Sequence, residues 1–245
     1  MTHINLSTQG ALVTGGGTGA GRSIALALAA EGCRVAVTGR REEKLVETAE
    51  LATSGPPIQC YAADVSQRNE VERLFSWAAA EIGPIHILVN SAGINIKDRA
   101  VECLSPENFD EVMKVNCTGS FNTIWAVLPQ MREREDGLIV NINSIAGKRP
   151  SVLAGVAYSA SKFAMTALGR GVALEEGEHG IRVTNIYPGE INTPILDQRP
   201  EPVSDERKAT LLQPEEFGEI VTMIAKLPPT AHISELVIKP VRQKY

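Results

Sequence analysis

Apolar residues in this chain come in short unbroken runs separated by stretches with helical spacing. Seven runs read as strands: Ala11 to Thr14, Arg34 to Thr38, Ile58 to Ala62, Ile85 to Val89, Leu138 to Ile142, Ile181 to Ile186 and Ile233 to Ile238. The fourth, Ile85-His86-Ile87-Leu88-Val89, shows no clean alternation, as expected of a strand covered on both faces. The spacing between the runs predicts helices over Arg22 to Ala30, Lys44 to Ala52, Gln67 to Ile82, Ser105 to about Met131, Tyr158 to Gly180 and Glu215 to Lys226. Strand and helix alternate from end to end and no linker intervenes. That order predicts an α/β protein: a single Rossmann-type doubly wound domain over residues 1–245, with a parallel sheet of about seven strands and helices on both faces.

Two stretches depart from the simple pattern. Asn116-Cys117-Thr118-Gly119 puts a polar residue and a glycine inside an otherwise apolar helix, where both carry a cost; a kink or a close helix crossing is expected there. From position 194 to 214 the composition turns to Pro, Glu, Asp and Arg, a long polar connection read as a substrate lid.

Composition narrows the function classes. The 245 residues suffice for one large α/β domain with a full core. Hydrophobic residues make up 43% and charged residues 22%, as in a soluble globular protein. The net charge of −5, with no basic tail or arginine-rich run, argues against a nucleic-acid partner. The longest apolar run, Ile24 to Ala30, is too short to span a bilayer. The start, Met1-Thr2-His3-Ile4-Asn5, carries no basic region followed by an apolar stretch, so no signal peptide is read and a cytoplasmic location is expected. The four cysteines form no C-x-x-C pair and the four histidines do not cluster with them. Reduced thiols are expected, rather than a metal site or disulfides.

The candidate chemistry lies at strand ends. The first strand runs into Gly15-Gly16-Gly17-Thr18-Gly19-Ala20-Gly21 and then into a helix. Such a loop sets free N–H groups and the helix dipole against a phosphate, and its glycines let the backbone approach a pyrophosphate. Gly15, Gly17, Thr18 and Gly19 are therefore candidate cofactor contacts. About 20 residues beyond the glycines, an acidic residue would bond the ribose 2′-hydroxyl of NAD, whereas an arginine would accommodate the 2′-phosphate of NADP. Here Gly39 is followed by Arg40-Arg41, which favours NADP(H) over NAD(H). The competing reading leaves both arginines solvated at the start of a helix. Asp64-Val65 either caps the next helix or meets the adenine ring. Asn90-Ser91-Ala92-Gly93 follows the fourth strand, where ligands sit in this architecture, so Asn90 and Gly93 join the candidates. Tyr158 and Lys162 stand one above the other on a helix face. A lysine ammonium held close to a phenol lowers its pKa, which would suit Tyr158 to general acid–base work.

Together these stretches resemble the short-chain dehydrogenase/reductase family over nearly the whole chain. The resemblance is carried by Thr14-Gly15-x-x-x-Gly19-x-Gly21, Asp64, Asn90-Ser91-Ala92-Gly93, Asn116, Ser144, Tyr158-x-x-x-Lys162 and Pro188-Gly189-x-x-x-Thr193, in the family's order. Ser91 replaces the family's second asparagine in N-N-A-G. The ending Glu235-Leu236-Val237-Ile238-Lys239-Pro240-Val241-Arg242-Gln243 departs from the common glycine-rich tail and is similar to a subgroup of NADP-dependent members acting on small polar alcohols. The resemblance implies hydride transfer between a nicotinamide cofactor and a carbonyl/secondary-alcohol pair. Tyr158 would be the acid–base group, Lys162 would hold the nicotinamide ribose, and Ser144 would place the substrate oxygen. Asn116 would hold a water linking Lys162 to solvent. Pro188, Gly189, Ile191 and Thr193 would bind the nicotinamide end, and Arg40 the 2′-phosphate. The resemblance also implies a homo-oligomer, dimer or tetramer, paired through the Asn116 and Tyr158 helices.

Two alternatives stay open: an NAD(H)-preferring alcohol dehydrogenase of the same fold, and a dinucleotide sensor without catalysis. The substrate itself is not legible. Lys97, Asp98, Arg99, Lys148 and Arg149 fall in the expected pocket walls; they read as rim residues in water, with a polar or anionic substrate as the alternative.

Overall fold

The structure is a computed structural model that describes residues 3–243; the outermost two residues at each end of the expected domain lie outside the described residues. Seven parallel strands form one sheet in the order β3-β2-β1-β4-β5-β6-β7. They are β1 (Gly10–Thr14), β2 (Arg34–Gly39), β3 (Gln59–Ala62), β4 (Ile87–Asn90), β5 (Gly137–Ile142), β6 (Ile181–Pro188) and β7 (Glu235–Ile238). The order reverses between β1 and β4, the switch point where ligands bind in such sheets.

Helices cover both faces. On one lie α1 (Gly19–Ala30), α2 (Glu42–Glu50) and a late helix, here α8 (Pro214–Lys226), around Ile24, Leu28, Val37, Leu45, Val89 and Phe217. On the other lie α3 (Arg68–Ile82), α5 (Gly119–Arg134) and α6 (Val156–Glu176), around Leu12, Leu74, Leu88, Ile124 and Ile139. The strands are apolar without alternation because both of their faces are covered. No helix among the described residues is long and apolar enough to cross a membrane.

The structure breaks the long helix expected from Ser105 to Met131. α4 (Pro106–Met113) opens with Ser105 accepting a bond from Asn108 N and Pro106 at the first position. A π-turn over Lys114–Thr118 then widens the helix before α5 begins. The cause is Asn116, whose amide is turned onto the backbone of Ile94: Oδ1 accepts from Ile94 N at 2.8 Å and Nδ2 donates to Ile94 O at 3.0 Å. Gly119 follows because Val65 presses there; a Cβ would lie 2.8 Å from Val65 Cγ2.

Two boundaries also differ from expectation. Asp64 does not cap α3. Its Oδ1 accepts from Ser66 N at 2.9 Å in a local turn, and the cap position falls on Gln67. α6 ends at Glu176 rather than Gly180, closed by a 3-10 turn and by Gly180 at φ 71°.

A polar ladder crosses the sheet beneath α5 and α6. Asn90, Asn141 and Asn185 stand in register on β4, β5 and β6. Asn90 Nδ2 donates to Asn141 Oδ1, and Asn141 Nδ2 to Asn185 Oδ1, each at 3.0 Å. Thr123 Oγ1 of α5 donates to Asn90 Oδ1 at 2.6 Å. Gly169 of α6 crosses so closely that a Cβ would collide with Asn185 Oδ1.

The expected lid over 194–214 has structure of its own. It holds a 3-10 turn (Pro194–Gln198) and a short helix α7 (Asp205–Lys208), and it ends with Leu212 bridged to Ile191.

Candidate active site

The glycine loop is shaped by contacts at two positions. Gly15 (φ 65°) and Gly19 (φ 55°) take left-handed backbone that other residues avoid. A Cβ on Gly15 would lie 2.8 Å from Ala92 Cα, and one on Gly19 2.9 Å from Thr193 Cγ2. The loop is thereby pressed onto the ends of β4 and β6. Arg22 of α1 ties it to α2: its guanidinium donates to Gly17 O, to Thr48 Oγ1 at 3.0 Å and to Glu47 Oε2 at 3.0 Å. At the mouth of α1, Thr18 makes no side-chain cap bond and the first turn holds no acidic residue. The leading N–H groups of α1 therefore have no capping side chain and suit an anion.

A groove of about 670 Å³ starts at this loop and runs along the strand ends. Gly15, Gly17, Thr18, Gly19, Arg40, Asp64, Val65, Gly93, Tyr158, Lys162, Ile191 and Thr193 all line it. Arg40 is half-exposed and faces Glu111, with Nη1 3.5 Å from Oε1. Asn90 is not on the groove wall, because its amide is spent in the ladder. Pro188 and Gly189 border a second, smaller cavity of about 160 Å³ instead.

Tyr158 borders both the groove and the cavity. Ser144 lines the cavity beside Tyr158. Burial raises the pKa of the phenol, while the Ser144 hydroxyl and the Arg99 charge pull it down. Lys162 Nζ stands 5.6 Å from the centre of the Tyr158 ring and donates to Ile142 O at 3.0 Å. The ammonium is buried, which lowers its pKa to about 8, and it lies 3.7 Å from where a Gly93 Cβ would be. Asn116 lies behind this pair. Its Nδ2 also donates to Ser161 Oγ at 3.0 Å.

Sequence does not pick out Asn143, Glu190 or Arg199, and it places Arg99 in the pocket wall chiefly as a rim residue. Asn143 lines both cavities, and its buried Oδ1 has no hydrogen-bond partner among the described residues. Arg99, expected at the rim, is buried and lines the small cavity. Glu190 and Arg199 also line it, joined at 2.7 Å. The only signal in sequence was their place in the loops after strand ends. Lys148, expected beside Arg99, is drawn to Glu235 at 2.6 Å and lines neither cavity. The chain's ending is stitched to the site: Gly189 N donates to Ile238 O at 2.7 Å, and Glu190 N to Gln243 Oε1 at 3.0 Å.

A doubly wound parallel sheet with a glycine loop, and a Tyr–Lys pair between a long groove and a small cavity, is the frame of a Rossmann-type NAD(P)-dependent oxidoreductase. Comparison with known proteins agrees. The model of the short chain dehydrogenase family matches residues 9–203. An uncharacterized oxidoreductase of Staphylococcus saprophyticus is 33% identical over 97% of this chain and 100% of its own. Among solved structures, the closed form of serine dehydrogenase complexed with NADP+ superposes with a TM-score of 0.87 at 31% identity, over 97% of each chain. The 3-ketoacyl-(acyl-carrier-protein) reductase from Brucella melitensis complexed with NADH gives a TM-score of 0.86 at 26% identity, over 96% of this chain and 98% of its own. This chain belongs to the short-chain dehydrogenase family.

Proposed function

We propose that the protein is an NADP(H)-dependent oxidoreductase that interconverts a small carbonyl compound and its secondary alcohol. The observation that carries this reading is Tyr158, which borders the long groove on one side and the small cavity, with Ser144 on its wall, on the other. The groove fits a dinucleotide: the uncapped start of α1 suits a pyrophosphate, and Asn143 and Lys162 stand on its wall. Arg40 at the end of β2 supports the 2′-phosphate, as does the serine dehydrogenase neighbour complexed with NADP+. The NADH complex of the Brucella melitensis neighbour keeps NAD(H) as the second reading.

The bound cofactor supplies or accepts the hydride. Everything else falls to this chain. Ser144 and Tyr158 hold the substrate oxygen and stabilise charge that grows on it. Tyr158, whose pKa burial raises, gives its proton to that oxygen in the reducing direction and, as the phenolate, takes it back in the other. Lys162 presents its ammonium to the groove beside Gly93, where a ribose hydroxyl would lie. Asn116 holds the Ile94 backbone in place on the wall. The segment 194–214 covers the cavity through Leu196 and Arg199 and acts as the lid. The chain works as one catalytic domain. It self-associates through the faces of α5 and α6 that expose Phe121, Trp125 and Phe163.

Tyr158→Phe should abolish turnover while NADPH affinity, read by nicotinamide fluorescence, changes less than about twofold. Retained turnover would refute the acid–base role. The elution volume and scattering mass of the purified protein test the association.

A further inference from the structure

Arg99 is a guanidinium that the fold buries without a negative partner among the described residues. The residue is 7% exposed. Its protein contacts are carbonyl oxygens: Nε donates to Ile96 O at 2.8 Å, Nη1 to Leu153 O at 2.9 Å, and Nη2 to Gln198 O. An arginine has five N–H donors, so one hydrogen on each terminal nitrogen is still free. Stapling three loops accounts for three donors. It does not account for the charge, which is costly to bury unpaired and which arginine cannot shed.

The surroundings add to that charge. Among the described residues, Arg99, Arg199 and Glu190 are the charged ones on the wall of the small cavity. The single charge of Glu190 is shared by Arg199 and Arg207, each at 2.7 Å. The wall beside Tyr158 is thus net positive in a chain whose net charge is −5. The Arg99 charge reaches both Tyr158 and Arg199.

The geometry points to a carboxylate-bearing substrate: a small hydroxy acid, oxidised to the oxo acid, with its carboxylate on Arg99 and its hydroxyl on Tyr158 and Ser144. This deepens the proposed function and rests on it. A guanidinium matches a carboxylate in charge and shape, and a cavity of about 160 Å³ suits a substrate of a few carbons. The step balances. The carbinol carbon would give its hydride to the oxidised nicotinamide of NADP+, the hydroxyl proton would pass to Tyr158 as its phenolate, the phenol's own proton having left to solvent, and the C–O bond would become a carbonyl. Arg99 is thereby a specificity-determining residue.

The test compares 2- and 3-hydroxybutanoate with their neutral amides, using the full chain and saturating NADP+. The kcat/KM of the preferred acid should exceed that of its amide about 30-fold, the scale of a charge-assisted bond. Arg99→Gln should bring that ratio close to one, and Arg99→Lys should restore part of it. Because Arg99 also staples loops, Arg199→Gln provides a second variant, expected to reduce the ratio severalfold with the three carbonyl bonds intact. Equal rates for acid and amide in the wild type, or a ratio untouched by Arg99→Gln, would overturn the proposal. Calorimetry of butanoate against butanamide on the NADP+ complex reads the same preference without turnover, and equal affinities there would also overturn it. Absence of Tyr158-dependent turnover on any alcohol, with cofactor bound, would instead refute the oxidoreductase reading.

Discussion

Lys162→Met should make the cofactor-free protein more stable while removing its activity. Lys162 is 3% exposed, and its ammonium has only Ile142 O, at 3.0 Å, and Met165 Sδ, at 3.7 Å, for company. Burial lowers its pKa from 10.5 to about 8. At about 1.4 kcal/mol for each tenfold change in proton affinity, holding this charge in the fold costs about 3 kcal/mol relative to the unfolded chain. Methionine keeps the length and apolar character of the stem and loses one hydrogen bond, worth about 1 kcal/mol. The net gain is about 2 kcal/mol, or about 6 °C in melting temperature for a chain of this size. The sign with pH follows from linkage. Below about 8 both folded and unfolded chains carry the proton and the full cost is present. Between about 8 and 10.5 the unfolded chain binds more protons, so the wild type gains stability as pH rises and the gap closes. Thermal melts of both proteins at pH 7 and pH 10, without cofactor, read this directly. A variant no more stable at pH 7, or a gap that does not shrink by pH 10, would refute the account of an ammonium held at a cost for function.

Other expectations come from the groove and the sheet. Arg40→Asp should weaken NADPH binding about tenfold or more, the scale of one charge-assisted bond, and leave NADH binding equal or tighter; parallel fluorescence titrations give the ratio, and an unchanged ratio would mean that Arg40 stays with Glu111. Asn141→Leu should cost about 2–4 kcal/mol in urea unfolding, because it leaves Asn90 Nδ2 and Asn185 Oδ1 buried without each other's relay; a loss under about 1 kcal/mol would mean the ladder is dispensable.

Much of the fold was legible in local pattern. Seven apolar runs alternating with helical spacing are seven parallel strands with helices between them, because a strand covered on both faces must be apolar throughout. The glycine loop and the Tyr158–Lys162 pair were also legible, since a turn into a helix and an i, i+4 spacing involve only near neighbours. Where local chemistry offered two answers, the pattern could not choose. Asp64 and Asn90 are polar residues at strand ends with similar surroundings in sequence. Asp64 lines the groove, whereas Asn90 turns away to meet Asn141 and Thr123. The widened turn at Asn116 likewise depends on Ile94, which comes from a separate loop.

Arg99 marks the boundary most clearly. By composition it belongs to a run of charges, Lys97-Asp98-Arg99, that would sit in water. In the fold it is buried by carbonyls 54 and 99 residues away along the chain. Periodicity and spacing report how a segment relates to itself, and so they were sufficient for the elements, their order and the cofactor loop. Burial, unpaired charge and pKa depend on which distant segments close over a side chain. For that reason the burial of Arg99 on the wall of the small cavity, and the place of Tyr158 between groove and cavity, came only from the tertiary structure.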